Sequence, residues 1–300
     1  MQKCITAIVA TLVISGCGNA KEVSNEAVPI PLIIEPDKIA VINYTHTKTK
    51  NGKGNTGNIS GLLKIEKQID DGFIGNWTTK SVKVAGVTIN EKSPQAASMF
   101  IGIPFSFEGG AEGQPLKIDD KERLISEISE SPVFGSTDPD LLKSVITFFE
   151  GMDEETLAHT MIKVPSYMSV CQNSEFYIGE PLKQQVQSAS PFGEGMLVSD
   201  ISYELMSVDR SKNIAKIEYK SGFNPDSLKD LTLQIFEKIA PEKTPSAEEM
   251  EELQIDRQDK ANCSVNLTTG WVENMTFHTL VKGEGETQEE LFKISVKWLD

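Results

Sequence analysis

Between Glu290 and Leu299 apolar and polar residues alternate: Phe292, Ile294, Val296 and Trp298 fall on one side, Lys293, Ser295 and Lys297 on the other. Side chains of an extended strand point to opposite faces in turn, so this period of two describes a half-buried β-strand; a helix would scatter the same apolar residues around its circumference. A strand with one dry face needs neighbours on its edges and a cover for that face. This chain must therefore build a sheet and something to lay on it.

The rest of the sequence supplies both. Ile39 to His46, Ser60 to Ile69 and Phe73 to Thr88 are β-rich runs that read as a meander, with Asp70-Asp71-Gly72 as a tight turn and Lys48 to Asn58 expected as a mobile polar loop. Gly52, Gly54 and Gly57 in that loop fit G-x-G-x-x-G. A dinucleotide fingerprint must open a helix whose N-terminus meets the pyrophosphate, and the residues that follow, ISGLLKIEK, read as a strand. Ile101 to Glu108 and Gln114 to Ile118 form another pair, and then the period changes to 3.6. Helices are expected over Asp120 to Ile128, after a Thr137 cap with Leu141, Leu142, Val145, Ile146 and Phe149 on one face, and from Asp153 to just before Pro165.

A second series follows. Leu197 to Val208 and Ile214 to Tyr219 flank a hairpin loop at Asp209 to Asn213. Asn224 caps a helix from Pro225 to Ile239 striped by Leu228, Leu231, Ile235 and Ile239, and another helix is expected near Ser246 to Leu253. Ile255 to Leu267 and Trp271 to Val281, joined by a Thr268-Thr269-Gly270 turn, precede the final strand. Hairpin-spaced runs alternating with groups of helices imply an α+β fold: a curved antiparallel β-sheet or incomplete barrel with helices packed against it. The repeated order also suggests two similar halves, 38–165 and 166–300.

The N-terminus sets an address. Lys3 and the ten-residue apolar run Ile5 to Ile14 have the form of a signal peptide, too short to span a bilayer. The run ends in Ile14-Ser15-Gly16-Cys17, which resembles the lipobox of bacterial lipoproteins. That resemblance implies removal of residues 1–16 and acylation of Cys17 with diacylglyceryl and palmitate-type N-acyl chains. Gly18, in place of the aspartate that retains such proteins at the inner membrane, implies the periplasmic face of the outer membrane. Residues 17–37, small, polar and then broken by Pro29, Pro31 and Pro36, are expected to form a flexible tether to an α+β domain at 38–300.

Charge narrows the partners. The chain carries 29 basic and 44 acidic residues; removing Lys3 with the signal leaves 28 against 44, a net charge of −16. Nucleic acid and anionic lipid surfaces both require basic patches and are excluded as partners. Besides Cys4 and Cys17 the only thiols are Cys171 and Cys263, expected to form a disulfide in an oxidising compartment, with two buried free thiols as the rival reading. His46, His159 and His278 have no ligand spacing and read as surface polar residues. The acidic pairs Asp119-Asp120, Glu154-Glu155 and Glu248-Glu249 suit helix N-termini, where carboxylates meet the positive end of the dipole. No catalytic motif, metal site or cofactor is expected, nor any enzyme activity.

Several short motifs resemble those of an uncharacterised family of bacterial exported proteins: Gly113 to Leu116, Val164-Pro165, Gly179-Glu180, the Tyr203 to Ile217 hairpin and the Leu-Thr-Thr-Gly-Trp turn ending at Trp271. Pro181-Leu182 stands where that pattern has an aromatic residue. The family has no assigned activity, so the resemblance implies architecture alone. The architecture is also similar to that of the lipoprotein-localisation factors, whose concave sheets bind acyl chains. Two functions are therefore expected: binding of an apolar ligand (lipid, acyl chain or lipoprotein segment), or service as a structural or assembly partner of an envelope protein.

Overall fold

In the computed structural model, the described residues are 27–90, 100–130, 139–172, 174–189, 196–239, 245, 246, 248, 255–283 and 285–299. The signal peptide, Cys17, the Thr137 cap and almost all of the helix expected near Ser246 lie outside them. The strands are β1 (Ala27–Ile30), β2 (Ile39–Lys50), β3 (Lys53–Ile69), β4 (Gly72–Val84), β5 (Val87–Ile89), β6 (Pro104–Gly110), β7 (Pro115–Ile118), β8 (Ser174–Tyr177), β9 (Leu182–Ala189), β10 (Met196–Asp209), β11 (Ile214–Phe223), β12 (Ile255–Asn266), β13 (Val272–Gly283) and β14 (Glu286–Leu299). The helices are α1 (Lys121–Glu130), α2 (Pro139–Gly151), α3 (Glu154–Met161), α4 (Lys163–Ser169) and α5 (Pro225–Ile239).

Twelve strands form one curved antiparallel sheet in the order β7-β6-β4-β3-β2-β14-β13-β12-β11-β10-β9, with β5 folded back on β4. The N-terminal strands run outward as one meander, and the C-terminal strands return inward as another. They meet where β2 pairs with β14, Ala40 opposite Trp298 and His46 opposite Phe292. The outermost strands β7 and β9 do not pair with each other, so the sheet is open and no barrel closes. The division suggested between residues 165 and 166 falls inside α4.

Alternation in the strands gives the sheet a dry face and a wet one. Ala40, Ile42, Leu63, Ile65, Phe73, Trp77, Phe105, Phe107, Ile294 and Val296 are buried on one side. The other side carries Lys216, Glu218, Lys220 and Lys260, with Glu218 paired to both Lys220 and Lys260. Helices cover the dry face. Asp153 caps α3, its carboxylate accepting from the Thr156 amide at 2.7 Å and the Thr156 hydroxyl at 3.0 Å.

The expected helix does break before Pro165, at Ile162, but α4 restarts at once and contains Pro165 in its first turn. An amide there has no intrahelical partner, so the missing N–H costs nothing. Leu157, Ala158, Ile162, Val164 and Met168 all press into the core. Tyr167 of α4 stacks on Phe277 (4.4 Å) and packs on Phe292 (4.7 Å). The Sγ atoms of Cys171, just beyond α4, and Cys263 of β12 lie at disulfide distance, 2.07 Å, with Cα atoms 6.5 Å apart. The helical layer is thereby stapled to the sheet.

Two expectations are corrected. Lys48 to Asn58 is not a mobile loop: β2 and β3 pair through it to Lys50 and Lys53, turning at Asn51 (φ +49°) and Gly52 (φ +78°). Two left-handed residues in succession twist as the strands do, which is why Asn-Gly favours two-residue hairpins. Nor is 27–36 a free tether. β1 pairs with β8, Ala27 opposite Tyr177 and Ile30 opposite Ser174, and Val28 and Ile30 are buried. Pro29 sits in this two-stranded edge pairing, where a missing donor is tolerated, and Pro31 follows just past its end.

Candidate functional site

From β1 the chain continues as a strap across one end of the sheet. The Ile33 amide donates to the Thr269 carbonyl at 2.8 Å, and the Trp271 indole N–H donates to the Ile33 carbonyl at 2.8 Å. Farther on, the Asp37 amide donates to Ile65 O (2.8 Å) and the Ile65 amide to Lys38 O (2.9 Å). Gly270 makes the crossing close. Its φ is +71°, and a Cβ there would lie 2.2 Å from the Pro31 carbonyl oxygen.

Strap and sheet end enclose a cleft of about 400 Å³. Trp271 and Trp298 meet within it at 4.8 Å between ring centroids, tilted by 54°. Ile65 and Val296 complete an apolar floor, and Ile33 forms a wall while remaining 41 % exposed. The rim is charged: Glu35 and Lys38 on the strap, paired at 3.5 Å, face Glu273 and Lys297 of the sheet. Glu273 accepts from the Asn266 amide group at 2.8 Å. An aromatic and aliphatic floor under a thin polar rim suits an apolar molecule with one wet end, and the volume lies in the range of about 300–1,000 Å³ usual for small-ligand sites.

The remaining polar groups on the dry face form a belt beyond Tyr167. Burial pushes the phenols of Tyr44, Tyr167 and Tyr203 up to about 12, so all three are neutral donors. Burial also lowers His46, outweighing Glu290 at 3.4 Å; the imidazole is stacked at 4.1 Å on Phe292. Burial alone would raise Glu290, but Lys48 at 3.0 Å holds its carboxyl below the ordinary value. Arg257 reaches the buried Asp259 at 3.3 Å and lies 4.8 Å over the Phe223 ring. Pairing within the belt is incomplete: Arg257 Nε and Asp259 Oδ1 are buried without a hydrogen-bond partner among the described residues.

The expected surface histidines are thus divided. His159 on α3 is exposed and His278 sits 3.8 Å from Glu289, whereas His46 is half-buried beneath the helical layer. Among the described residues no group of His, Cys, Asp and Glu side chains could hold a metal ion, and no helix is long and apolar enough to cross a membrane. The residues of the cleft carried no sequence signature beyond the Gly270-Trp271 turn and the alternation ending at Trp298. Comparison with known proteins adds no assignment: no protein-family model and no curated protein matches the chain.

Proposed function

We propose that this chain is a lipoprotein of the bacterial outer membrane, anchored on the periplasmic face through Cys17, that receives an apolar ligand such as a lipid or acyl chain in the Trp271–Trp298 cleft. The cleft carries the reading. Apolar space of about 400 Å³ left against two indole rings is costly unless something apolar fills it. The lipobox residues Ile14 to Cys17 support the anchor, and from Ala27 onward β1 and the strap lead to the cleft wall. α3 packs on β7 and α4 on β13, with Leu157, Ala158, Ile162, Val164 and Met168 buried, which supports a ligand site at the strapped end over one beneath these helices.

The test is a titration of soluble Cys17→Ser protein with a fluorescent fatty acid, read by energy transfer from tryptophan. Saturable binding that weakens at least tenfold, about 1.4 kcal/mol, in Trp298→Ala supports the site. Absence of binding, or equal binding by Trp298→Ala, removes it. The second reading, an assembly partner in the envelope, is favoured by β9, the eight-residue strand at the open end of the sheet, where an extended segment could add by β-augmentation. A ligand-free protein that co-purifies stoichiometrically with another envelope protein supports that alternative.

A further inference from the structure

Next to the point where the chain enters the described fold, the surface turns apolar. β8 leads into a tip, Ile178-Gly179-Glu180-Pro181, that returns as β9. Around it Tyr177, Ile178, Leu182 and Met206 are 40 %, 38 %, 50 % and 54 % exposed. The pairings place them along one edge of the sheet: Tyr177 is bridged to Glu180, Ile178 to the buried Leu205, Leu182 lies opposite Tyr203 on the same face as Leu205, and Met206 follows Leu205 in the bulge before Ser207. A Cβ added at Gly179 would meet nothing within 4 Å, so the tip projects into open space. An acidic chain that keeps four large apolar side chains exposed at one corner marks an interaction surface.

The anchor identifies the occupant. Ala27 pairs with Tyr177 itself, and Cys17 is ten residues upstream, a reach of at most about 35 Å. An acylated Cys17 therefore confines this corner to the neighbourhood of the bilayer. We propose that Tyr177, Ile178, Leu182 and Met206 form a membrane-seating surface that rests in the headgroup layer of a zwitterionic bilayer. This rests on the anchor reading given above. Tyrosine suits such a boundary because its ring is apolar and its hydroxyl wet, whereas Glu175 and Glu180 on the same corner disfavour an anionic lipid surface. Seating also orients the cleft. Ile33 is six residues along the strap from Ala27, at most about 20 Å of chain, so an apolar ligand leaving the membrane has a short path to Trp271 and Trp298.

The test uses lipidated full-length chain on phosphatidylcholine–phosphatidylethanolamine vesicles, with hydroxyl-radical labelling read by mass spectrometry and sedimentation measured in parallel. Oxidation follows exposure, so Met206 and Tyr177 are expected to label about fivefold more slowly on vesicles than in the free Cys17→Ser chain. Phe148 of α2, 49 % exposed and packed on Phe149, should label equally in both. Ile178→Ser with Leu182→Ser, both at exposed positions, should restore Met206 labelling while the chain still sediments. A wild-type chain that sediments with Met206 unprotected overturns the seating alone. One that stays in the supernatant overturns the anchor, and the seating with it.

Discussion

Replacing Gly270 by alanine tests whether the strap is part of the fold. Two costs add. The residue sits at φ +71°, where an L side chain costs about 1–2 kcal/mol. Its Cβ would also stand 2.2 Å from the Pro31 carbonyl oxygen, so the strap must move away. That motion forfeits the Ile33 amide bond to Thr269 and the Trp271 indole bond to Ile33, each contributing about 1 kcal/mol. The sum is about 3–4 kcal/mol. Gly52→Ala is the control, because φ there is +78° and its Cβ would meet nothing within 4 Å, so only the backbone cost of about 1–2 kcal/mol applies. Urea unfolding of both variants should differ by about 2 kcal/mol, and Trp271, freed of its bond, should shift its emission to the red in Gly270→Ala. Equal destabilisation of the two variants, within about 0.5 kcal/mol, would refute the strap as an ordered element.

Other expectations follow from the same geometry. Denatured but unreduced protein should leave Cys171 and Cys263 unalkylated until reductant is added, and the double Cys→Ala variant should lose about 4–5 kcal/mol, the chain-entropy value for a 92-residue separation; ready alkylation without reductant would contradict the pairing. His46 is held below its ordinary value of 6.5 by burial, so as the pH falls below about 6.5 the unfolded chain takes up a proton that the folded one resists. Stability should decline through that window, and His46→Gln should flatten the decline; an unchanged profile would show that the imidazole is not buried under α4.

What could be read from the sequence was what depends on local period. The alternation over Phe292 to Trp298, the Asp209–Asn213 hairpin and the Thr268–Gly270 turn are all present, because strand faces and turns are set by residues within a few positions of each other. β1 and β8 were not legible. Their pairing joins residues 27–30 to 174–177, and a segment broken by Pro29 and Pro31 carries no strand period. Lys48 to Asn58 misled through its composition: lysine, threonine, asparagine and glycine look like loop, yet Asn51-Gly52 alone makes the turn and β2 and β3 run up to it. Two mature thiols besides Cys17 leave one partner each for Cys171 and Cys263, whereas the cleft depends on Ile33, Ile65, Trp271 and Trp298 converging from four separate stretches. No local pattern encodes that convergence.

Native mass spectrometry of the Cys17→Ser chain, purified from the periplasm without detergent, tests the central proposal most directly. An apolar ligand in the cleft predicts a bound mass in the lipid or fatty-acid range on the otherwise wild-type chain, lost in Trp298→Ala. A bare polypeptide mass in both proteins, with no uptake when acyl compounds are added, would contradict it.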